Sequence, residues 1–436
     1  MRRSLGFRDN RMKKKFFRLD TFLYVIATVA FIAMVYSMFT YGISFIHSDN
    51  AVELSAIKAM IDNNSVFPKS WVYGNGDINV MRIQIFLMLP YLLISNTPVA
   101  RQIGVLLIVV LAAIAIRYLC QKLFDNNCWL LAMPIITIFI YTISCRDVVI
   151  YSGMYISSIL WFSVVTVMFY RIHNGDFISH SSRIKYTVIW GGLIFFLLIG
   201  GTRWAAEITL PLLMTIVILF VIENQVERNI SMAKIWQCIY EFALVIVPSI
   251  VGLFVFFKIK ENGLFFISTQ DSLKLANSVE VIGQNLLGII RNYYKCFGYE
   301  GDVELFSLEG LFSIVSIAAV SLVCIVIPIL QLKNIKRESI QVKYFLIMAY
   351  AHNLVLIMFS VLTSNMQDYH LLTVIFVFVL LSCRYIYDNW LNQGIMLKAC
   401  LVLLFALAVI IESLHLLKAS VGWLERYTRQ RSFCDE

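Results

Sequence analysis

The sequence predicts an all-α, polytopic membrane protein, and its composition and its apolar runs support this fold class. Hydrophobic residues occupy 60% of the 436 positions, charged residues occupy 14%, and the mean hydropathy is +0.78. A soluble domain is nearer to half apolar and about a quarter charged. Apolar runs of roughly 20 residues, the length of a membrane-spanning helix, recur along the whole chain. We find no stretch large and polar enough to form a separate soluble domain.

About eleven transmembrane helices are predicted in a membrane domain at residues 21–415. A basic N-terminus (1–20) precedes this domain and a tail (416–436) follows it. Because the apolar run after the N-terminus lacks a small-residue cleavage site, we expect a retained first span with a cytoplasmic flank. The predicted spans are 21–45, 101–119, 129–144, 148–170, 187–202, 205–222, 236–257, 308–331, 344–362, 370–389 and 395–415.

The apolar segment 81–95 is too short for a regular span and contains Pro90. We therefore predict a re-entrant or interfacial helix. If the segment does not cross, the basic loops 171–186 and 332–343 lie inside, as the positive-inside rule prefers. The outer face then receives two long loops, 46–100 and 258–307. The basic tail after Ser413 would also lie outside, so the side of the C-terminus stays open.

Charge and cysteine usage exclude two other classes of protein. The net charge is +9, but the basic residues cluster between apolar runs, where they act as topology signals, so we expect no nucleic-acid partner. Nine cysteines are scattered without a CxxC pair, which argues against a disulfide framework or a zinc site.

The first external loop opens with two acidic residues, Asp49 and Glu53, one helical turn apart. Asn50 and Glu53 fit a capping box, and Asp49 is itself a good N-cap. Capping and a chemical role for the two acids are both open. The following helix, 50–61, is amphipathic and is expected on the membrane surface. Its predicted apolar side comprises Val52, Ala56, Ile57, Ala59, Met60 and Ile61.

The stretch FPKSWVYGNGDINVMR (67–82) forms the second part of this loop. Trp71 and Tyr73 suit an interfacial aromatic belt, and Asp77 follows a glycine-bracketed turn. Two interpretations stand equal: an anchored loop, or a binding lip for a sugar or a lipid headgroup.

Two further short loops place charges at a membrane boundary. SCRDVV contains Arg146 and Asp147, and GGTRWAAE contains Arg203 and Glu207. Charged groups at membrane depth are costly, and an arginine there can bind a phosphate. His352, embedded in the span 344–362, is interpreted as a packed, hydrogen-bonded residue.

These motifs together resemble the GT-C superfamily of membrane glycosyltransferases, which includes protein O-mannosyltransferases and the lipid A aminoarabinose transferase. The resemblance covers roughly residues 20–220. The residues that carry it are HSDNAVELSAI (47–57), WVYGNGD (71–77), the short helix 81–95, Arg146–Asp147 and GGTRW (200–204).

The resemblance implies an inverting sugar transfer on the outer face of the bacterial plasma membrane. The donor is expected to be a polyprenyl-phosphate-linked sugar, and the acceptor a glycan or a lipid. Asp49 matches the catalytic first-loop aspartate, Asp147 the second acidic position, and Arg203 stands near the donor phosphate. The chain has no D-x-D at 49–51, so a divalent metal, held by Asp49 and Asp147, is not strictly required. The expected substrate-binding residues are Glu53, Trp71, Tyr73, Asp77, Arg82, Arg146, Asp147 and Arg203.

The alternative function is a non-catalytic flippase, a polymerase-type protein or another transport protein for lipid-linked glycans. A flippase predicts charged residues spread through a central cavity across the bilayer. In the predicted topology the unusual charged residues gather at one face, which favours the enzyme.

Overall fold

A computed structural model of the protein describes residues 2–43, 48–69, 71–74, 78, 80–138, 151–175, 177, 179–227, 231–261, 265–267, 275–297, 299, 301, 303–304, 306–363 and 371–389. In these residues the all-α polytopic fold is confirmed. Nine described helices are long and apolar enough to cross a bilayer, and a shorter apolar helix covers Val80–Leu93. The predicted span 395–415 and the C-terminal tail lie outside the described residues.

The first half of the described chain forms seven α-helices and one short strand. A π-helical turn at Met38–Gly42 continues the first helix, and another at Val80–Gln84 runs into the third. The elements are α1 Arg2–Ser37, α2 Ser48–Asp62, β1 Val72–Gly74, α3 Ile85–Leu93, α4 Thr97–Leu123, α5 Trp129–Ile138, α6 Met154–Asn174 and α7 His180–Ile199.

The second half begins with a π-helical turn at Ala205–Thr209 and contains another at Leu322–Val326 and a 3-10 turn at Ile335–Arg337. The remaining elements are α8 Leu210–Glu227, α9 Met232–Glu261, β2 Phe265–Ile267, α10 Val279–Lys295, α11 Leu308–Ser321, α12 Ile327–Lys333, α13 Ile340–Leu362 and α14 Leu372–Asn389.

Capping side chains and a glycine explain where several helices begin. The side-chain oxygen of Asn96 accepts a hydrogen bond from the Val99 N–H at 3.2 Å and starts α4. Ser179 forms a reciprocal capping box before α7. Gly153 has a φ of 73°, a left-handed conformation that favours glycine. The described helix α6 therefore begins at Met154, later than the predicted span 148–170.

One end of the bundle, the Asp20 end, is joined by hydrogen bonds between distant parts of the chain. The Asp20 carboxylate near the start of the first span accepts from Asn127, after α4, at 3.1 Å. It also accepts from the Tyr387 hydroxyl, near the end of α14, at 2.5 Å. The end of α4, the end of α14 and the start of the first span therefore lie together.

The opposite end, the Arg203 end, contains the other termini of the same helices. Gln102, near the start of α4, donates to the carbonyl of Gly42 at 3.0 Å and to that of Tyr151 at 3.4 Å. α1 and α4 therefore run antiparallel, and the chain between Gly42 and Gln102 leaves and returns at one end. The segment 81–95 consequently does not cross the bundle, as predicted.

The loop helix α2 packs against α3 and the preceding π-helical turn. It begins at Ser48, two residues before the predicted start at Asn50. Its predicted apolar face is partly wrong, because Val52 is 49% exposed whereas Glu53 is only 3% exposed. Glu53 therefore faces the protein interior and not the water boundary. The most buried side chains of α2 are those of Glu53, Ala56, Ile57 and Met60, which follow a helical period.

A two-stranded parallel sheet, which the sequence did not lead us to predict, joins the two long loops 46–100 and 258–307, which we call external after the predicted topology. Val72 pairs with Phe265 and Gly74 pairs with Ile267. Close by, the Ile78 N–H donates to the Gly200 carbonyl at 2.9 Å. Backbone pairing thus fixes the first external loop to two later loops at the Arg203 end.

Candidate functional site

Tyr155, in the first turn of α6, is the centre of a polar cluster at the Arg203 end. The guanidinium carbon of Arg82 lies 5.0 Å from the centre of its ring, and that of Arg203 lies 4.7 Å away. Cation–π contact with an aromatic ring stabilises each guanidinium. We call Arg82, Tyr155, Ser158, Arg203 and Glu207 the arginine cluster.

The π-helical turn Val80–Gln84 brings Arg82 into this cluster. Its Nε donates to the carbonyl of Met154 at 3.4 Å, and its Nη2 to the Ser158 hydroxyl at 3.5 Å. Arg82 is 5% exposed, so a long cationic side chain is held inside the bundle near one membrane boundary. A cation in this setting is a functional-site candidate.

Arg203 and Glu207 form an ion pair within one helical turn. The Arg203 Nε donates to the Glu207 carboxylate at 2.5 Å, and Glu207 is 4% exposed. Burial lowers the pKa of the Arg203 guanidinium, but Tyr155 and Glu207 more than offset this effect and raise the pKa above its ordinary value. Arg203 is therefore a permanent cation in the cluster.

The turn at Gly200–Gly201 positions Arg203. Gly201 has a φ of 137°, which few other residues adopt. A Cβ on Gly200 would lie 2.9 Å from the Leu197 carbonyl oxygen and 3.0 Å from the Trp204 Nε1. Glycine thus permits the close approach of backbone at this turn.

His352, midway along α13, lies deeper in the bundle beside the arginine cluster. It is fully buried, and its ring packs edge-to-face on Phe162 with centroids 4.8 Å apart. Glu207 interacts with it electrostatically. The prediction that His352 is packed is confirmed. The prediction that it is hydrogen-bonded is wrong, because neither ring nitrogen has a hydrogen-bond partner in the described residues.

Of the predicted site residues, the structure brings Arg82 and Arg203 together. Glu53 lies on the face of α2 that packs toward the turn holding Arg82. Trp71 is half-buried and packs against Ile78 and Phe256, which supports the anchored-loop interpretation.

The other predicted site residues are not described at the level of their side chains. Asp49 belongs to α2 and Tyr73 to β1, but their side chains lie outside the described set. Asp77, Arg146 and Asp147 lie outside the described residues altogether. Their predicted roles remain predictions.

Within the part of the chain that the structure describes, no three His, Cys, Asp or Glu side chains come together as a metal site. The arginine cluster contains two guanidinium groups, one phenol, one aliphatic hydroxyl and one carboxylate, and this set suits an anion better than a cation. A divalent metal on Asp49 and Asp147 remains a prediction.

Tyr155 and Ser158 belong to the cluster but are absent from the predicted site. Nothing in the sequence near Tyr155 distinguishes it from the other tyrosines of the spans. Glu207 carries a readable signal, since it follows Arg203 by four residues, which is the spacing of an ion pair on a helix.

The expectation that buried charges gather at one face is wrong. At the Asp20 end, His173 Nδ1 lies 2.9 Å from the Glu241 carboxylate, and Glu241 is 4% exposed. Arg384 binds both carboxylate oxygens of Glu338, at 2.9 and 2.7 Å. These groups are paired with one another and connect neighbouring helices at this end of the bundle.

Comparison of the chain with protein-family models, curated protein sequences and solved structures gave no significant match. The assignment of function therefore depends on the residues of this chain.

Proposed function

We propose that the protein is a membrane glycosyltransferase that moves a sugar from a polyprenyl-phosphate donor to an acceptor glycan or lipid. The observation that carries this proposal is the approach of Arg82 and Arg203 to the single ring of Tyr155. A guanidinium group can donate two parallel hydrogen bonds to a phosphate, and two such groups beside the same ring suit a lipid phosphate.

The position of the arginine cluster also supports a lipid-linked donor. The cluster lies at the start of α6 and of the apolar span Ala205–Asn224, and therefore at the level of a membrane boundary. The helices around it expose apolar side chains on their outer surfaces. A polyprenyl chain can lie along such a surface while its phosphate stays with the arginines. A soluble enzyme offers no equivalent surface.

In the proposed reaction, an acceptor hydroxyl attacks the anomeric carbon of the donor sugar. Its proton passes to the Asp49 carboxylate, and the bond from the anomeric carbon to the phosphate oxygen breaks. The leaving polyprenyl phosphate gains negative charge, which Arg203 and Arg82 stabilise. Asp147 would orient the acceptor.

We place this reaction on the outer face of a bacterial plasma membrane, with the N-terminus in the cytoplasm. The support is the positive-inside rule, because the N-terminal eighteen residues include eight Lys or Arg. The loop 333–337 is also basic. It lies on the same side of the bundle as Asp20, because the next residue, Glu338, pairs with Arg384 near the end of α14, and this end of α14 contacts the loop after α4.

The test is the mass profile of surface glycans in a deletion strain complemented with variants of equal expression. Wild type and Asp62→Asn, an exposed acid at the far end of the same helix α2, should restore a sugar-sized mass. Asp49→Asn and Arg203→Gln should not restore it. Full restoration by both variants would remove the proposed site, and no glycan change on deletion would remove the proposed reaction.

A flippase remains the second candidate, and the buried His173–Glu241 pair at the opposite end from the arginine cluster is the observation that favours it. A flippase would move a fluorescent polyprenyl-phosphate lipid between leaflets of a proteoliposome without adding or removing a sugar. A transferase would yield free polyprenyl phosphate in the same vesicles once acceptor is supplied.

A further inference from the structure

We propose that His352 and Glu207 form a subsite for the hydroxyl groups of a neutral sugar, directly beside the phosphate-binding arginines. This inference rests on the proposed function and identifies which side chains of the arginine cluster and its surroundings recognise the sugar. Neither the resemblance nor the sequence motifs assign a binding role to His352.

The first support is the unmet hydrogen-bonding capacity of His352. The side chain is fully buried, and within the described residues both ring nitrogens lack a hydrogen-bond partner. Leaving a buried polar group unpaired costs about 1–3 kcal/mol. If the side chain at position 352 only filled space, an apolar residue of the same size would make the folded protein more stable than histidine does.

The second support is the chemistry of its neighbours. A neutral imidazole offers one donor and one acceptor, and the Glu207 carboxylate accepts hydrogen bonds through two oxygens. A hydroxyl group both donates and accepts, so neighbouring hydroxyls of a sugar ring match this pair. Glu207 carries a negative charge close to His352, which disfavours a second phosphate there.

The third support is the arrangement along the bundle. The π-helical turn that contains Glu207 packs against α13, and Glu207 pairs with Arg203 and interacts electrostatically with His352. Arg203 lies nearer the membrane boundary, whereas His352 is ten residues before the end of α13 at Leu362, or about 15 Å along the helix. A phosphate held by Arg203 would thus place an attached sugar toward Glu207 and His352.

The helix α10 packs along α13 at the level of the subsite. Tyr293, on the external-loop helix α10, donates from its hydroxyl to the Asn353 side-chain oxygen at 3.2 Å. Asn353 follows His352 directly, so α10 reaches the level of the subsite. Excluding water from a sugar-binding site strengthens its hydrogen bonds.

The experiment measures dissociation constants of the full-length protein in lipid nanodiscs by calorimetry. The probes are a short-chain polyprenyl phosphate and its glucose, mannose and galactose esters. Wild type should bind at least one ester about tenfold more tightly than the bare phosphate lipid, which corresponds to about 1.4 kcal/mol. Arg203→Gln should weaken binding of every probe.

His352→Leu should bind the bare phosphate lipid as wild type does and lose the preference for the ester. His352→Gln, which keeps one donor and one acceptor, should retain part of that preference. The matched control is His180→Leu at an exposed position, which should leave all constants unchanged. His352→Leu should also unfold at the same or a higher temperature than wild type, because no hydrogen bond is lost.

Two results would overturn the subsite and leave the proposed function standing. The first is a His352→Leu protein that keeps the full preference for the ester. The second is a wild-type protein that binds all four probes equally. If the bare phosphate lipid does not bind, or binds independently of Arg203, the proposed function fails as well.

Discussion

The backbone N–H of Ile78 donates to the carbonyl oxygen of Gly200 at 2.9 Å. This single bond joins the first external loop to the turn that presents Arg203. The Leu197 carbonyl oxygen at the end of α7 and the Trp204 side chain also lie beside this glycine, so α7, the loop 46–100 and the turn carrying Arg203 meet at one residue without a side chain.

Gly200→Ala should destabilise the protein, because the new methyl group would lie 2.9 Å from one carbonyl oxygen and 3.1 Å from the Ile78 carbonyl oxygen. Backbone must move, at a cost of about 1–3 kcal/mol. The measurement is thermal unfolding in detergent. Gly191→Ala is the matched control, since its Cβ would meet no atom within 4 Å, and it should be neutral or slightly stabilising. Equal effects of the two changes would contradict the tight packing at Gly200.

Arg203→Met alone should destabilise the protein more than the double change Arg203→Met with Glu207→Met. The single change leaves the Glu207 carboxylate buried without its cation, which costs about 3–5 kcal/mol, whereas removing both charges is often neutral. Chemical denaturation of the four proteins in a double-mutant cycle measures the coupling. A coupling near zero would show that the pair is not energetically linked.

Tyr155→Leu should weaken binding of a polyprenyl phosphate more than Tyr155→Phe does. Leucine removes the ring that both guanidinium groups approach, whereas phenylalanine keeps it. Each cation–π contact contributes about 0.5–2 kcal/mol, so the leucine variant should bind roughly tenfold more weakly. Calorimetric titration measures both constants. A phenylalanine variant as weak as the leucine one would assign the effect to the hydroxyl group.

Arg384→Lys should lower stability by about 2 kcal/mol, because an ammonium cannot form the two parallel hydrogen bonds that Arg384 makes with Glu338. Thermal unfolding is again the measurement. Arg337→Lys, at an exposed position four residues after the end of α12, is the control and should have no effect. If Arg337→Lys lowered stability as much as Arg384→Lys, the effect would come from replacing arginine with lysine anywhere at the Asp20 end and not from the two hydrogen bonds to Glu338.

Cysteines placed at the two ends should react from opposite sides of the membrane. In a variant without reactive native cysteines, Lys336→Cys should be labelled by a membrane-impermeant maleimide only after the cells are permeabilised. Glu304→Cys, on the large external loop, should be labelled in intact cells. The reverse pattern would invert the proposed orientation while leaving the fold intact.

The transmembrane helices could be predicted because their length and apolar composition are local properties of the chain. The start of α6 could not be predicted, because the sequence does not reveal that Gly153, inside the predicted span, has a left-handed φ of 73°. The face of α2 was also misjudged, because a pattern of apolar letters does not reveal that Glu53 packs inside the protein.

The candidate site was predictable where charge itself was the signal. Arg82 and Arg203 stand out as cations at a membrane boundary. Tyr155 and His352 do not stand out, because their importance arises from neighbours that are distant in the sequence. Tyr155 meets Arg203 across 48 positions and Glu207 acts electrostatically on His352 across 145, and such relationships arise only when the helices pack.

The parallel pairing of Val72–Gly74 with Phe265–Ile267 sets an order on how the protein is made. The ribosome must synthesise the chain as far as Ile267 before the first external loop can acquire its partner strand. Until then α2 and the turn carrying Arg82 lack that tether, although the membrane helices that precede β2 have already been synthesised. The site at the Arg203 end is therefore completed late in biogenesis, so a truncated chain ending before Phe265 would insert most of its helices without assembling the finished loop.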